Sequence, residues 1–158
     1  MGASEPFHEH CPEIGFSEYR SMRLQGDEEL PDGEYGFMEL YCTEPKCDCR
    51  RVIFWVMDPS QSPKPLATFG YGWESPEFYV KWMSGSSFAE QMAGLSVERL
   101  GAQSRLTDAL FRACEEILLS DPAYIERLKR HYALFKEAIR AKDGTAGATK
   151  RKKPRWKH

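Results

Sequence analysis

The sequence predicts an α+β fold in which an antiparallel β-meander of about four strands is followed by two or three packing α-helices. Two observations carry this prediction: strand-like patterns fill residues 35–83, and apolar residues at helical spacing fill residues 87–140. The chain has 158 residues, of which 41% are hydrophobic and 29% charged, as in an ordinary globular domain. A chain of this length can bury a stable core without disulfide bonds.

Four strands are predicted in the first half of the chain. Tyr35–Cys42 alternates between two faces, which is typical of a strand. Arg51–Met57 is rich in β-branched and aromatic residues, as in a central strand covered on both faces. Leu66–Trp73 and Phe78–Met83 are predicted to form a hairpin, with Ser75-Pro76 in the short turn between them.

The second half of the chain changes to helical spacing. Ser87 and Glu90 form a capping box, which predicts a helix from Ser87 to Leu95. A second helix has apolar residues at steps of three and four, namely Leu106, Leu110, Ala113, Cys114, Ile117 and Leu118. Asp121 as N-cap and Pro122 in the first turn begin the last helix. Its apolar residues are Ile125, Leu128, Tyr132, Phe135 and Ile139.

Charge is distributed unevenly along the chain. Residues 142–158 carry seven Lys and Arg against one Asp, whereas the rest carries 15 basic and 23 acidic residues, giving net charges of +6 and −8. Small residues precede the basic ones, so we predict one domain over residues 1–143 and a flexible basic tail over residues 144–158. The acidic body would repel phosphates. Two interpretations of the tail are open: a solvated terminus that folds back on the acidic body, which is the commoner role of a short basic tail, and a nucleic-acid contact through Lys150, Arg151, Lys152, Lys153 and Arg155.

No segment of the sequence has the pattern of a secretory signal or a membrane span. The longest apolar run, Val52–Met57, has six residues, whereas about 20 are needed to cross a bilayer. The N-terminus is acidic and has no apolar stretch. We therefore expect a cytoplasmic protein with no membrane contact, in which the five cysteines are reduced.

Three cysteines are clustered between the first two predicted strands. Cys42, Cys47 and Cys49 have the spacing C-x4-C-x-C, at the tip of a predicted hairpin where the strand ends already lie close together. Thiolates are preferred ligands of Zn²⁺, which in structural sites is held by four protein ligands. The sequence therefore predicts a structural zinc site at this tip.

The fourth ligand is expected from the N-terminal segment, residues 1–33, which is polar and turn-rich. Cys11 is the first choice, His10 the second and His8 the third. Such a bond would pin this segment to the domain. The negative charge of the bound thiolates would be offset by nearby basic residues, namely Lys46, Arg50 and Arg51.

Other interpretations of the cysteines remain open. Three unliganded thiols in a polar loop, an iron–sulfur cluster and a redox disulfide are the alternatives to zinc. Cys114 is different, because it belongs to the apolar face of a predicted helix and is interpreted as a core residue.

Sequence patterns of common enzyme classes are absent. The chain has no G-x-S-x-G elbow, no phosphate-binding glycine loop and no H-E-x-x-H motif. His131 is expected to be a surface histidine of the last helix, without a catalytic role. Several aromatic residues are interpreted as core, with an exposed binding surface as the alternative; they are Tyr71, Trp73, Phe78, Tyr79 and Trp82.

These patterns favour a zinc-binding protein of the binding or adaptor class, whose partner is an unknown protein or small ligand. The alternative is a zinc-dependent hydrolase or deaminase-like enzyme, which would use three protein ligands and a water. A third hypothesis is a nucleic-acid-associated protein that acts through the basic tail.

Overall fold

The protein is described by a computed structural model that covers residues 3–58, 63–85 and 87–156, with side chains up to residue 144. The α+β prediction is confirmed, since an antiparallel sheet is packed by α-helices. The strands are β1 (Ser4–Pro6), β2 (Arg20–Leu24), β3 (Gly33–Cys42), β4 (Arg51–Met57), β5 (Ala67–Gly72) and β6 (Gly94–Val97). The helices are α1 (Phe7–His10), α2 (Pro12–Ser17), α3 (Pro76–Trp82), α4 (Thr107–Ser120) and α5 (Pro122–Trp156), with a 3₁₀ helix at Ala89–Met92.

The long strand β3 organises the sheet. The strand order is β1-β3-β4-β5-β6, and β2 also pairs with β3, so β1 and β2 share one edge of it. In the register, Ser4 lies opposite Cys42 at one end of β3, and Arg20 lies opposite Phe37 nearer its other end. Cys42 therefore lies at the end of the sheet where the chain leaves β3 for β4.

One face of the sheet forms the core with α4 and α5. Phe54 of β4 stacks on Tyr124 of α5, and Phe69 of β5 meets Phe111 of α4 edge-on. Leu128 on the inner face of α5 is fully buried. The alternation of β3, β4 and β5 turns every second residue toward these helices, which is why the predicted two-residue period is found.

The predicted strand over Phe78–Met83 is wrong, because the segment forms helix α3. The side chain of Ser75 accepts a hydrogen bond from the backbone N–H of Phe78 (3.2 Å), and Pro76 occupies the first helical position. A serine N-cap followed by proline is a helix-start signal. Here that signal outweighs the strand preference of the aromatic residues.

The helix predicted from Ser87 to Leu95 is also wrong. Only Ala89–Met92 is helical, as a short 3₁₀ turn, and Gly94 then takes the left-handed backbone conformation (φ 73°). Residues 94–97 pair with β5, with Val97 opposite Phe69. The free edge of β5 thus supplies the hydrogen bonds that a helix would otherwise make internally.

The N-terminal segment is more structured than its composition indicates. It contains β1, α1, α2 and β2, and Phe7 is 3% exposed in the main core. Strand pairing to β3 and the burial of Phe7 therefore attach residues 4–24 to the domain. Pinning of this segment by zinc stays a prediction.

The last helix continues along the backbone to Trp156, through the region predicted as a flexible tail. The side chains of residues 145–158 lie outside the described residues, so the predicted tail contacts stay predictions. Among the described residues, none of the helices combines the length and apolar character needed to cross a bilayer.

Candidate metal centre

Three thiols converge at the connection between β3 and β4. Cys42 is the last residue of β3, and Cys47 and Cys49 lie in the connection. The three Sγ atoms lie within 4.8 Å of one another. Cys42 and Cys49 are buried and Cys47 is half-buried. Sulfur atoms bound to one tetrahedral zinc lie about 3.8 Å apart, given a Zn–S distance of about 2.3 Å. The group can therefore hold one metal ion after a small inward movement of the thiols.

The connection is folded by its own polar contacts. The backbone N–H of Cys47 donates to the carbonyl of Glu44 (3.1 Å), which closes a turn. Arg50 has a left-handed backbone (φ 51°) and its guanidinium binds the carboxylate of Asp48 through two hydrogen bonds of 2.9 and 3.0 Å. The turn and the left-handed residue direct the chain back toward β4, so that residues 47 and 49 return to Cys42.

A buried lysine of α5 supports this connection from the helix side. Lys136 is 2% exposed, and its Nζ donates hydrogen bonds to the carbonyls of Cys42 (2.9 Å) and Glu44 (2.8 Å). A buried ammonium is costly unless its hydrogen bonds are satisfied. The two hydrogen bonds meet that cost and hold the loop backbone against α5.

Two further residues of α5 bind the same connection. The hydroxyl of Tyr132 accepts a hydrogen bond from the backbone N–H of Arg50 (3.2 Å), and Nε of Arg140 donates to the carbonyl of Pro45 (3.2 Å). The loop is therefore held against α5 over just over two helical turns.

The thiols oppose one another's ionisation. Burial, followed by the neighbouring Cys49 and Cys42 thiols, raises the pKa of Cys47 to about 12. Without a cation, the Cys47 thiol is therefore protonated at neutral pH. A divalent cation reverses this preference, because it attracts all three thiolates at once.

Cys11 and His10 are not members of the group. Burial raises the pKa of the Cys11 thiol, while Lys142 of α5 lowers it, so this thiol lies beside the C-terminal part of α5. His10 is bound on both sides: Nε2 is 2.6 Å from a carboxylate oxygen of Glu5, and Nδ1 is 2.8 Å from Nζ of Lys142. The ring of His8 lies 5.2 Å from that of Phe16. Ligation by any of the three stays a prediction.

The basic residues predicted to offset the thiolate charge have different environments. Lys46 is exposed, and Arg50 is engaged by Asp48 and by Glu74 (3.3 Å). The cation that contacts the loop backbone from within the protein is Lys136, which the sequence analysis assigned to no site. Lys136 follows Tyr132 by four residues and precedes Ile139 by three, which places it on the apolar face of α5, and this spacing was the available signal.

His131 is not a surface residue, so that expectation is wrong. It is 1% exposed, with Nδ1 2.7 Å from Glu39 and Nε2 2.6 Å from Glu18. The hydroxyl of Tyr41 also donates to Glu39 (2.7 Å). These residues connect α5 to β3 and to the segment before β2.

Cys114 and the aromatic residues of α3 differ in where they are buried. Cys114 is 2% exposed within the core, as predicted. Tyr79 is fully buried and belongs with Ala89 and Met92 to a second, small apolar cluster, packed by Phe78 and Trp82. For these aromatic residues of α3, packing against the 3₁₀ helix accounts for much of their apolar surface.

No protein-family model, curated protein or solved structure matches this chain. The functional argument therefore depends on the chemistry of the residues that the fold brings together.

Proposed function

We propose that the protein is a zinc-binding module in which Cys42, Cys47 and Cys49 hold a structural ion, and that it acts as a binding or adaptor protein. The observation that carries the proposal is the approach of the three Sγ atoms to within 4.8 Å of one another in a connection bound by α5. The buried or half-buried thiols and the bonds from α5 to their loop hold these three potential ligands in one place.

Zinc fits the donor set best. Soft thiolates select zinc, copper(I) or iron–sulfur clusters, and zinc forms tetrahedral sites without redox chemistry. Three thiolates on Zn²⁺ leave a formal charge of −1, and the ammonium of Lys136, which is bound to the carbonyl of Cys42 (2.9 Å), supplies a positive charge on the same loop. The fourth coordination position falls to Cys11, as the sequence predicts, or to an external ligand.

The binding class is favoured over an enzyme by the charge of the donor set. Three thiolates donate so much electron density that the ion becomes a weak Lewis acid, which disfavours activation of water. A zinc-dependent hydrolase or deaminase-like enzyme is the second candidate. It requires that the fourth ligand be water, and it predicts hydrolytic turnover that is lost with the ion.

The metal content of the purified protein tests this proposal. We expect about one zinc per chain in protein prepared without a chelator, and loss of that zinc in Cys42→Ser and Cys49→Ser. Cys114→Ser is the matched control, since it also removes a buried thiol but lies outside the group. Wild-type protein without metal, or full occupancy in both cluster variants, would refute the site.

A second variant identifies the fourth ligand. Loss of zinc in Cys11→Ser would assign the fourth position to Cys11. Retention of zinc would assign it to a ligand from outside the chain or to another side chain. Visible spectra of the cobalt(II)-substituted protein count the thiolates directly, because the intensity of the sulfur-to-cobalt charge-transfer band rises with their number.

A further inference from the structure

A cavity of about 250 Å³ lies on the face of the sheet opposite α4 and α5. It is lined by residues of neighbouring strands and by the turn after β6. The lining includes Cys42, Cys49, Arg51, Ile53, Thr68 and Glu98. Two of the three clustered cysteines thus form part of its wall. The cavity and the candidate metal centre are adjacent parts of one region.

Arg51 is the distinctive residue of this cavity. It is 9% exposed, and Nε donates to the carbonyl of Met92 (3.0 Å). Its two terminal amino groups have no hydrogen-bond partner among the residues that the structure describes. The guanidinium lies over Gly70 of β5, where a Cβ atom would come within 2.6 Å of Nη2. The fold therefore makes room for a largely buried guanidinium, and its terminal amino groups, which are not among the buried unpaired atoms, are open to solvent in the cavity.

A guanidinium that presents its outer donors to a cavity indicates an anionic ligand. The side chain is already held in place by Nε, so an anion in the cavity would gain charge-assisted hydrogen bonds from a preorganised donor pair. The two parallel N–H groups of a guanidinium match the two oxygens of a carboxylate. Thr68 is not bonded to them in the structure; its hydroxyl donates to the carbonyl of Ala102 (3.0 Å).

The charges around the cavity favour a monoanion. Glu98 lines the same cavity, and the thiolates of the metal centre add negative charge when an ion is bound. A phosphate dianion would meet stronger repulsion there than a carboxylate with a single charge. The volume of the cavity, about 250 Å³, lies just below the range of about 300–1,000 Å³ typical of pockets for drug-sized ligands, so it suits a small molecule.

We propose that this cavity binds a small molecule through a carboxylate group held by Arg51, next to the cysteine group. The presence of a neighbouring zinc ion rests on the function proposed above. The carboxylate site itself does not, because it is formed by Arg51 and the residues that line the cavity. Because Cys42 and Cys49 form part of the cavity wall, gain or loss of the metal ion would alter the affinity of the cavity for this ligand.

The probe for this site is ¹³C-labelled acetate, with neutral acetamide as the matched compound. We expect acetate to bind the wild-type protein, as measured by broadening of its carboxyl resonance, and acetamide not to bind. Arg51→Gln should weaken acetate binding at least about tenfold, since a hydrogen bond to a charged group is lost. Arg99→Gln is the control variant, because Arg99 is an exposed arginine close to the same turn.

A cavity-filling variant guards against misfolding of Arg51→Gln. Ile53→Trp places a larger side chain in the cavity and keeps the guanidinium, so it should also abolish acetate binding, with the fold checked by circular dichroism. Equal affinity in wild type, Arg51→Gln and Ile53→Trp would overturn the proposal, as would a loss in Arg99→Gln of the same size. Zinc content measured on the same samples separates the two proposals: acetate binding without zinc refutes only the metal site, and zinc without acetate binding refutes only the carboxylate site.

Discussion

His131 of α5 is buried between two carboxylates from distant parts of the chain. Glu39 on β3 is 92 residues away and Glu18 is 113 residues away, and both lie within 2.7 Å of the imidazole nitrogens. The ring of Phe7 stacks on the imidazole, with centroids 4.3 Å apart. One side chain thus connects three segments, and each of its two nitrogens has a partner.

Replacement of His131 is expected to destabilise the fold. His131→Gln removes the imidazole between Glu18 and Glu39 and leaves Glu39 with the Tyr41 hydroxyl, so we expect the free energy of unfolding to fall by about 2 kcal/mol. Urea denaturation at pH 7 measures this. His8→Gln is the control and should stay within about 0.5 kcal/mol of wild type, because His8 is half-buried and the contact recorded for it is with an exposed ring. A similarly small effect of His131→Gln would show that the buried contacts contribute little.

Residue-level prediction from the sequence succeeded for local groups and failed for distant pairs. Cys42, Cys47 and Cys49 lie within eight residues, and their convergence could be expected from spacing alone. His131 and Lys136 could not be placed in this way, because both lie among charged neighbours of α5 that resemble a solvated face. Their partners, Glu39 and the carbonyl of Cys42, are 92 and 94 residues away.

Helix α5 and the β3–β4 connection form one structural unit around the candidate metal centre. The ammonium of Lys136 satisfies two carbonyls of the connection, and Tyr132 and Arg140 bind it on either side. The helix therefore fixes the backbone from which the thiols project. Residues that orient metal ligands in this way typically alter affinity by about 10- to 100-fold when replaced.

Lys136→Met tests this coupling between helix and loop. The variant keeps the apolar stem, removes the charge and leaves two carbonyls unpaired, so we expect zinc affinity to fall at least about tenfold. Competition with a chromophoric chelator measures the affinity. Lys129→Met on the exposed side of α5, where Lys129 pairs with Glu126 (3.1 Å), should bind zinc like wild type. Equal affinities in the two variants would show that α5 does not position the ligands.

The elements with long, regular patterns were predicted closely, and the short ones were not. Strands β3 and β4 and helices α4 and α5 each have a period that local sequence determines. Residues 75–97 were assigned incorrectly in two places, because aromatic residues suit either a strand or a helix packed on another helix. There the decisive features were the N-cap at Ser75 and pairing of residues 94–97 with β5, a tertiary contact.

The N-terminal segment packs against the sheet and also contacts helix α5. The segment before β2 joins the sheet through β1, and His10 of α1 meets Lys142 near the end of the described side chains of α5 (2.8 Å). The last buried residue of α5 among those described is Ile139. The backbone beyond this point is helical to Trp156, and residues 140–158 carry eight of the 22 Lys and Arg residues of the chain.

The uneven distribution of charge along the chain predicts how it binds nucleic acid. The acidic body repels phosphates, so the proposed contact with nucleic acid depends on the six Lys and Arg of residues 144–158. We expect the full chain to bind a single-stranded oligonucleotide, with log affinity falling against log salt with a slope of about −4. Fluorescence anisotropy over a salt series measures this slope. A chain ending at Asp143 should lose the binding but keep its free energy of unfolding, since it retains Ile139 and every buried residue of α5 that the structure describes. Binding that survives this truncation, or that does not respond to salt, would assign any nucleic-acid contact to the folded body and contradict the role of the tail.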